Sequence, residues 1–203
     1  YANWGQVYDP VLDDQVWAPI SGNIAKTMAN SDSNFQPWFA PAGFTRGIVT
    51  GVNDLALYPK QKQRDQLYKI STNPVAFFPG EGFVIFGQKT LQKKASALDR
   101  VNVRRLLINL KKFVAQSSRT LVFEQNTTDL RNQFLNVVNP YMEQVQANQG
   151  LNAFRVVMDD SNNTPETIDR NQLIGQIFIQ PARTAEFIVL DFVVQPTGAA
   201  FPE

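Results

Sequence analysis

SALDRVNVRRLLINLKKFVAQSS, residues 96–118, contains the clearest helical pattern in the chain. Apolar residues recur there at intervals of three and four, a spacing that places them on one face of an α-helix. They are Val103, Leu106, Leu107, Leu110, Phe113 and Val114. Ser96, followed three residues later by Asp99, predicts a capping box at the helix start. Full burial of one such apolar side chain contributes about 1.5–3 kcal/mol, so we expect this helix to be central to the core.

The other faces of the predicted helix are basic. At about 100° per residue, Arg100, Arg104 and Lys111 form one stripe beside the apolar face. Arg105 and Lys112 form a second stripe further round. Two interpretations follow from the residues alone: a solvated outer face, or a surface that docks onto an acidic partner.

Composition excludes several classes of function. A chain of 203 residues can bury one sizeable core or two small ones. Its net charge of +1 gives no overall field that would attract nucleic acid or an acidic membrane. The absence of histidine and cysteine excludes histidine-dependent catalysis, histidine metal ligands, thiolate chemistry and disulfides. Because the sequence contains neither a bilayer-spanning apolar run nor a secretory signal, we expect no membrane insertion.

The first half of the chain predicts short elements joined by ordered loops. Residues 1–20 are expected to be irregular but packed through their aromatic side chains. Ser21 is expected to cap a short helix that ends near residue 30, and residues 60–68 to form a short exposed helix. Between these helices, residues 30–47 predict an ordered loop over the core. The apolar runs 75–78 and 83–86 flank a glycine-containing loop and predict a hairpin.

The second half predicts one more helix and several strands. A helix is expected from Thr127 or Thr128, with a break or kink at Asn139-Pro140. Gly150 is placed to end it in the left-handed conformation. Residues 154–158 predict a buried strand.

Two longer strands are expected at the end of the chain, over residues 173–180 and 186–194. Because both runs are apolar on nearly both faces, we place them inside a sheet. The fold class predicted from these elements is α+β, with a mixed or antiparallel sheet packed by helices. We expect one domain over residues 1–203, with residues 1–18 as a segment that leads into it.

No group of residues predicts catalysis. The acidic pairs 13–14 and 159–160 consist of adjacent residues, whose side chains point apart in a strand, so turn and capping roles are favoured. Residues 159–166 lack the glycine and glutamate spacing of a calcium-binding loop. The glycines at 80 and 82 are not followed by the lysine of a phosphate loop. We therefore expect no catalytic site, no metal and no cofactor.

Several segments occur together in the order typical of one protein family. They are PISGNIAKTMANSD (19–32), PWFAPAGFTRG (37–47), GFVIFGQKTL (82–91), DRVNVRRLLINLKKFV (99–114), FEQNTTDLRNQF (123–134) and FRVVMDDSNNTPETIDRNQLIGQIFIQPARTAEFIVLDFVV (154–194). In these runs the chain resembles the tail sheath proteins of contractile-tailed phages, most closely the large sheath subunit of myovirus-type tails. The resemblance covers nearly the whole chain from Pro19 and corresponds to the conserved C-terminal part of a subunit. It implies that the N-terminal arm and the outer variable domains are not in these residues.

The resemblance implies a structural role. Sheath subunits polymerise as stacked hexameric rings around a tail tube, in an extended and metastable form. On a baseplate signal the sheath contracts and drives the tube through the host envelope for genome delivery. The implied partners are further copies of the subunit, the tail tube protein, and the baseplate and tail terminator proteins, with no nucleic acid. The implied location is the virion, after assembly in the host cytoplasm.

The resemblance also implies roles for particular residues. The segment from Asp99 to Lys112 matches the family's tube-facing helix, which makes five cations candidates for contact with an acidic tube: Arg100, Arg104, Arg105, Lys111 and Lys112. Neighbouring sheath subunits share a sheet completed by strands donated from terminal arms. The candidate positions for this pairing are Ile177, Ile179, Phe187, Val189, Phe192, Val194 and Phe201. Residues 195–203 are then the expected C-terminal arm.

Two alternatives remain beside this interpretation. One is the sheath of a related bacterial contractile injection system, which would share both fold and mechanism. The other is a nucleic-acid-binding domain that places the basic helix on phosphates. The net charge of +1 argues against the second alternative.

Overall fold

The computed structural model describes residues 1–190, in which helices pack with small antiparallel sheets. The strands are β1 Trp4–Asp9, β2 Asp14–Pro19, β3 Asp54–Leu55, β4 Val75–Phe78, β5 Gly82–Ile85, β6 Leu151–Val157 and β7 Gln176–Pro181. The α-helices are α1 Ser21–Asn34, α2 Gly43–Arg46, α3 Gln61–Lys69, α4 Val101–Ser117, α5 Thr128–Ala147 and α6 Pro165–Asp169. The sheets have the strand orders β2-β1-β3, β4-β5 and β6-β7, all antiparallel. The predicted α+β class is confirmed.

Two hydrophobic clusters form the core. The first lies between α4, α5 and the β6-β7 sheet, and its buried members are Trp38, Leu106, Leu110, Phe134, Val138, Met142, Val145, Leu151 and Met158. The second lies between α1 and the other two sheets, and its buried members are Ile20, Ile24, Val49, Val52, Leu55, Val75 and Ile85. Trp38 lies in the predicted ordered loop, and its indole Nε1 donates to the carbonyl of Asn148 at 2.9 Å. This contact fixes the loop onto the end of α5.

The helix predicted within residues 96–118 is confirmed, with one break that the sequence did not predict. Ser96 Oγ accepts from the amide of Leu98 and so caps a 3₁₀ turn over Ala97–Asp99. Arg100 is extended (φ −115°, ψ 141°), and α4 begins only at Val101. The break arises because the preceding loop pairs with this point of the chain: the Val101 amide donates to the Gln88 carbonyl at 2.8 Å. Arg100 therefore leaves the helical stripe on which the sequence placed it.

Residues 1–20 form a hairpin, so the prediction of an irregular segment is wrong. Trp4 pairs with Pro19 and Tyr8 with Gln15. Pro10 lies in the turn and Pro19 at the end of the edge strand β2, where no ladder amide is lost. Asp13 supplies the turn's left-handed residue, with φ of 51°.

Pro140 does not divide α5, which is one continuous helix, so the predicted division into two pieces is wrong. Proline removes the hydrogen bond to the carbonyl four residues earlier. Both Pro140 and Asn136, which carries that carbonyl, are exposed, so water can satisfy the freed oxygen. The predicted N-cap is correct, because Thr127 Oγ1 accepts from the Leu130 amide.

Gly150 ends α5 for a reason other than the one predicted. The left-handed residue is Gln149, with φ of 61°. The amide of Gly150 donates to Val145 and that of Gln149 to Gln146, which is a Schellman motif. A Cβ on Gly150 would lie 2.7 Å from Val145 Cγ1 and 3.0 Å from the Trp38 indole. Glycine is therefore required by close packing.

Several other short elements agree with the sequence. The β4-β5 hairpin and the exposed helix α3 form as predicted. Helix α1 is longer than expected, since it continues to Asn34, and Ile20 rather than Ser21 occupies the N-cap position. A further short helix, α2, follows in the segment predicted as a loop.

The C-terminal strands differ most from the prediction. β7 is shorter than residues 173–180, and within residues 1–190 it pairs only with β6. The strand predicted at 154–158 is found as part of β6, which ends at Val157. Within residues 1–190, however, β6 and β7 are both exposed on one face, so the full burial predicted for the first and the interior position predicted for the second are wrong. Glu186 to Leu190 form no strand, because an apolar run alone does not make one without a partner's main chain. Residues 191–194 lie outside the described residues.

The buried face of α4 predicts a selective loss of stability. Leu106 is 1% exposed and Ile108, two residues later, is 54% exposed. We expect Leu106→Ala to lower the free energy of unfolding by about 2–5 kcal/mol through a cavity between α4 and α5. Ile108→Ala should change it by less than about 0.5 kcal/mol. Urea denaturation followed by circular dichroism measures both, and equal losses would show that α4 does not pack as described.

Candidate functional site: the basic helix and the C-terminal segment

The exposed face of α4 carries three of the five candidate cations. Arg104, Lys111 and Lys112 are exposed, and within residues 1–190 none of them forms an ion pair. Arg104 and Lys111 lie two turns apart on one stripe, with the half-exposed Ile108 between them. This face combines positive charge with apolar contact area.

Arg105 points to a different part of the molecule. It forms an ion pair with Asp32 in α1, and its side chain is largely covered. The pair ties α1 to α4 across the two parts of the core. A cation neutralised in this way contributes little attraction toward an external acidic surface.

Arg100 is also engaged within the chain. Its Nε donates to Glu186 Oε1 at 2.6 Å and its Nη2 to Oε2 at 2.9 Å, a bidentate ion pair. Asp99 lies 3.3 Å from the same guanidinium. Over residues 1–190, the structure therefore separates the basic stripes into two paired arginines and three exposed cations without an ion pair.

Two further side chains complete a polar network around Glu186. The Tyr68 hydroxyl lies 3.1 Å from Arg100 Nη2, from which it accepts, and 3.1 Å from Glu186 Oε2, to which it donates. Gln88 Nε2 donates to Thr184 Oγ1 at 2.5 Å and to Glu186 Oε1 at 3.3 Å. Burial and the Glu186 charge raise the pKa of Tyr68, so the hydroxyl stays protonated as a donor.

Burial by itself raises the pKa of Glu186, but other effects outweigh it. The hydrogen bond and charge of Arg100, with hydrogen bonds from Tyr68 and Gln88, hold the pKa of Glu186 below its usual value. A carboxyl with a lowered pKa adds stability above its ordinary pKa, and that stability is lost as the pH falls through the lowered value. The network is therefore complete at neutral pH.

The candidate strand-pairing residues occupy different surroundings. Ile177 and Ile179 pack from β7 onto the first core cluster, whereas Phe178 between them is exposed. Phe187 and Val189 are exposed and lie outside any strand. Phe192, Val194 and Phe201 fall outside the described residues.

The acidic pairs make local structural contacts. Asp160 forms an ion pair with the buried Arg131 at 2.5 Å, and Asp159 accepts from the amide and hydroxyl of Ser161 in a turn. Among residues 1–190 no three potential metal-ligating side chains lie together. Over the same residues, no helix has both the length and the apolar composition needed to cross a bilayer.

The sequence analysis missed the partners of the two paired arginines. Glu186 lies 86 residues after Arg100 and Asp32 lies 73 residues before Arg105, so no local spacing could join them. One signal was available: a single acid, Glu186, opens the apolar run EFIVL. An acid in that position requires a cation or donor nearby if the run is to pack.

Comparisons with a family profile and with curated proteins both find similarity to phage tail sheath proteins. The profile of the phage tail sheath C-terminal domain family matches residues 93–195. The tail sheath protein of Vibrio phage KVP40 is 42% identical over 99% of this chain, and that of Enterobacteria phage T4 is 41% identical over 97%. The chain spans only 30% of the length of each of these relatives.

Solved structures share the fold. The contracted sheath complex of PVC, an extracellular contractile injection system, superposes with a TM-score of 0.86 at 23% identity, over 95% of this chain and 55% of that one. A chain of the anti-feeding prophage baseplate superposes with a TM-score of 0.84 at 22% identity, over 95% of this chain and 53% of that one. At 22–23% sequence identity, the structural similarity shows only that the fold is shared.

The network around Glu186 predicts a measurable titration. In the protein labelled with ¹³C at glutamate, the Glu186 carboxyl should titrate below the ordinary value of about 4.3. Arg100→Gln should raise that pKa, because the charge and hydrogen bonds of the guanidinium then no longer oppose the effect of burial. Arg104→Gln, four residues along and exposed, should leave it unchanged. If the pKa of Glu186 is the same in Arg100→Gln as in the wild type, the ion pair is contradicted.

Proposed function

The chain belongs to the phage tail sheath family through its C-terminal domain, and we propose that it is the conserved C-terminal part of a contractile tail sheath subunit. In this proposal the complete protein polymerises as stacked hexameric rings around a tail tube. Contraction of the sheath then drives the tube through the host envelope. The observation that carries the proposal is the family match, which begins at residue 93 and includes all of α4.

The proposed tube contact uses the exposed face of α4. Arg104, Lys111 and Lys112 are free to meet an acidic tube surface, whereas Arg100 and Arg105 are held by Glu186 and Asp32. One exposed ion pair contributes about 0–1 kcal/mol. Many such contacts repeated around a tube would hold it in register, and each could still be broken during contraction. Ile108 would add apolar contact between the charges.

The proposed contact between subunits is strand addition to the β6-β7 sheet. Within residues 1–190 this sheet has two strands and therefore two unpaired edges. A strand from a neighbour's arm would pair through main-chain hydrogen bonds, which need few specific side chains. Ile177 and Ile179 would support the pairing from the core side. Val189, Phe192, Val194 and Phe201 would supply the donated segment, whereas Phe187 contacts Tyr68 of its own subunit and is left out of it. An edge left open is a polymerisation hazard, which such pairing removes.

The role proposed for the whole protein is mechanical. The extended and contracted sheaths would be two packings of the same subunits, with the extended one kinetically trapped. Baseplate and tail terminator proteins would cap the two ends of the polymer. The sheath would assemble in the host cytoplasm and then be part of the virion. The protein would act without a cofactor, enzymatic activity or nucleic-acid binding.

One second candidate is favoured by a specific observation. Injection systems that are not phages share the fold with TM-scores above 0.8. The chain would then be the sheath of such a machine, with the same contacts and the same contraction. Nucleic-acid binding is less favoured, because α4 exposes only three of its cations.

Charge reversal on α4 tests the tube contact. We expect Arg104→Glu/Lys111→Glu in the complete protein to abolish sheathing of purified tail tubes in electron micrographs, because the introduced acids repel the tube. Lys62→Glu/Lys69→Glu on α3 introduces the same charge elsewhere and should leave sheathing intact. Equal sheathing by both double variants would show that the α4 face is merely solvated.

Removal of the last residues tests the strand addition. Truncation after Leu190 leaves both core clusters in place, so the thermal unfolding midpoint should not change. Ring and polymer formation should be lost, because no segment remains to complete a neighbour's sheet. Normal polymers from the truncated protein would overturn this arrangement of the arms.

A further inference from the structure

The segment after β7 is held by side chains although it has no regular structure. Residues 182–190 form neither helix nor strand. Thr184, Glu186 and Phe187 nevertheless contact Gln88, Arg100 and Tyr68. Beyond them, Ile188 to Leu190 are 71–91% exposed. The segment is thus attached at one point, next to the place where the exposed run begins.

We propose that Tyr68, Gln88 and Arg100 form a binding site for an acidic–aromatic pair of residues, and that its ligand is Glu186-Phe187 of the same chain. The site would hold the start of the C-terminal segment on its own subunit.

The carboxylate half of the site is built from three separate parts of the chain. Tyr68 comes from α3, Gln88 from the loop after β5, and Arg100 from the extended residue before α4. Their donors reach both oxygens of Glu186 at 2.6–3.3 Å. The side chains of Arg100 and Glu186 are only 25% and 20% exposed. A bidentate pair of this kind fixes direction as well as position.

The aromatic half of the site is the Tyr68 ring. Phe187 meets it edge to face, with ring centroids 5.7 Å apart and planes at 85°. Lys89 Nζ lies 3.4 Å from the centroid of the same ring and donates to the Tyr68 carbonyl at 2.8 Å. Tyr68 is therefore held in place by contacts other than those of its ligand.

The break before α4 is what makes the site possible. If Arg100 continued the helix, its side chain would lie on the stripe of Arg104 and Lys111 and would point outward with them. The extended conformation at Arg100, set by pairing with the 88–90 loop, turns it toward Tyr68 and Glu186 instead. The same loop supplies Gln88, so one local feature positions two of the three binding residues.

One consequence rests on the proposed function. If a neighbour's sheet receives the distal part of the segment, the site would keep Glu186-Phe187 on the donating subunit. Movement between the two packings would then occur beyond Phe187. The binding site itself does not depend on this step, and it can be tested on unassembled protein.

Limited proteolysis tests the site first. In the unassembled complete protein, we expect Arg100→Gln to speed tryptic cleavage after the exposed Arg183 by at least about tenfold, since the charge-assisted hydrogen bonds that hold residues 184–187 are lost. Arg104→Gln should leave this cleavage at the wild-type rate. Hydrogen-exchange peptides from α4 report whether a variant is still folded. Should Arg100→Gln disturb α4, Tyr68→Phe, which removes only the hydroxyl, takes its place with the same expected direction.

A double variant supports the proteolysis experiment. Arg100→Gln and Glu186→Gln remove the two ends of one contact, so their combination should speed cleavage after Arg183 no more than either change alone. Additive effects of the two changes would overturn the proposal. So would a wild-type cleavage rate after Arg183 in Arg100→Gln, or in Tyr68→Phe where that variant replaces it.

Cross-linking then decides whether the ligand comes from the same chain. The 203 residues contain no cysteine, so in a complete protein freed of any cysteine outside them Gln88→Cys/Thr184→Cys introduces one pair that a short bismaleimide can join. In assembled sheaths, mass spectrometry should find the cross-linked peptide in the monomer band under denaturing conditions. Covalent dimers and ladders would show that the segment comes from a neighbour and would overturn the assignment to the same subunit. If no sheath assembles, the proposed function fails, while the proteolysis result still decides the site.

Discussion

The burial of one face of α4 against α5 is the constraint on which the other features depend. Leu106 and Leu110 pack with Phe134, Val138 and Met142, and this contact fixes the rotation of α4 about its axis. Once the rotation is fixed, the exposed positions of the helix follow from its period of 3.6 residues. Arg104, Ile108 and Lys111 are outside because Leu106 and Leu110 are inside. The surface that we propose for the tube is thus a direct consequence of the core.

The cations on and beside α4 divide according to whether they have an internal partner. Arg100 and Arg105 lose solvent exposure and gain acids, Glu186 and Asp32, so each serves the fold of its own subunit. Arg104, Lys111 and Lys112 keep their solvation and remain available to an outside surface. Removal of one partner from a covered ion pair leaves a charge that is poorly solvated, whereas an exposed contact is exchanged with water at little cost. Arg104 and Arg105 are therefore adjacent in sequence but differ in role: the first is available to an outside surface, and the second stabilises the fold of its own subunit.

Local patterns in the sequence predicted the local elements well. The apolar face of α4, the Thr127 cap of α5, the β4-β5 hairpin and the exposed α3 all depend on residues within a few positions of one another. Two failures were local: residues 1–20 form a hairpin, and Pro140 lies within one continuous α5. The other failures involve partners distant in sequence. Arg100 is pulled out of the helix by a loop, and residues 186–190 lack a strand partner. Within the candidate site, the sequence identified every cation but could not show which of them Glu186 and Asp32 would neutralise.

The three kinds of contact proposed for the subunit differ in how easily they can be remade. Main-chain pairing at the β6-β7 edge depends on strand geometry and needs little side-chain specificity, so it can persist while subunits rotate. Exposed charges on α4 are individually weak, so a tube could slide past them in small steps. The site around Glu186 has four donor hydrogen bonds from three side chains and one geometry, which makes it the least adaptable of the three. A sheath that shortens without dissociating needs all three kinds of contact: a fixed attachment within each subunit, an adaptable connection between subunits, and a tube-facing surface that can release the tube.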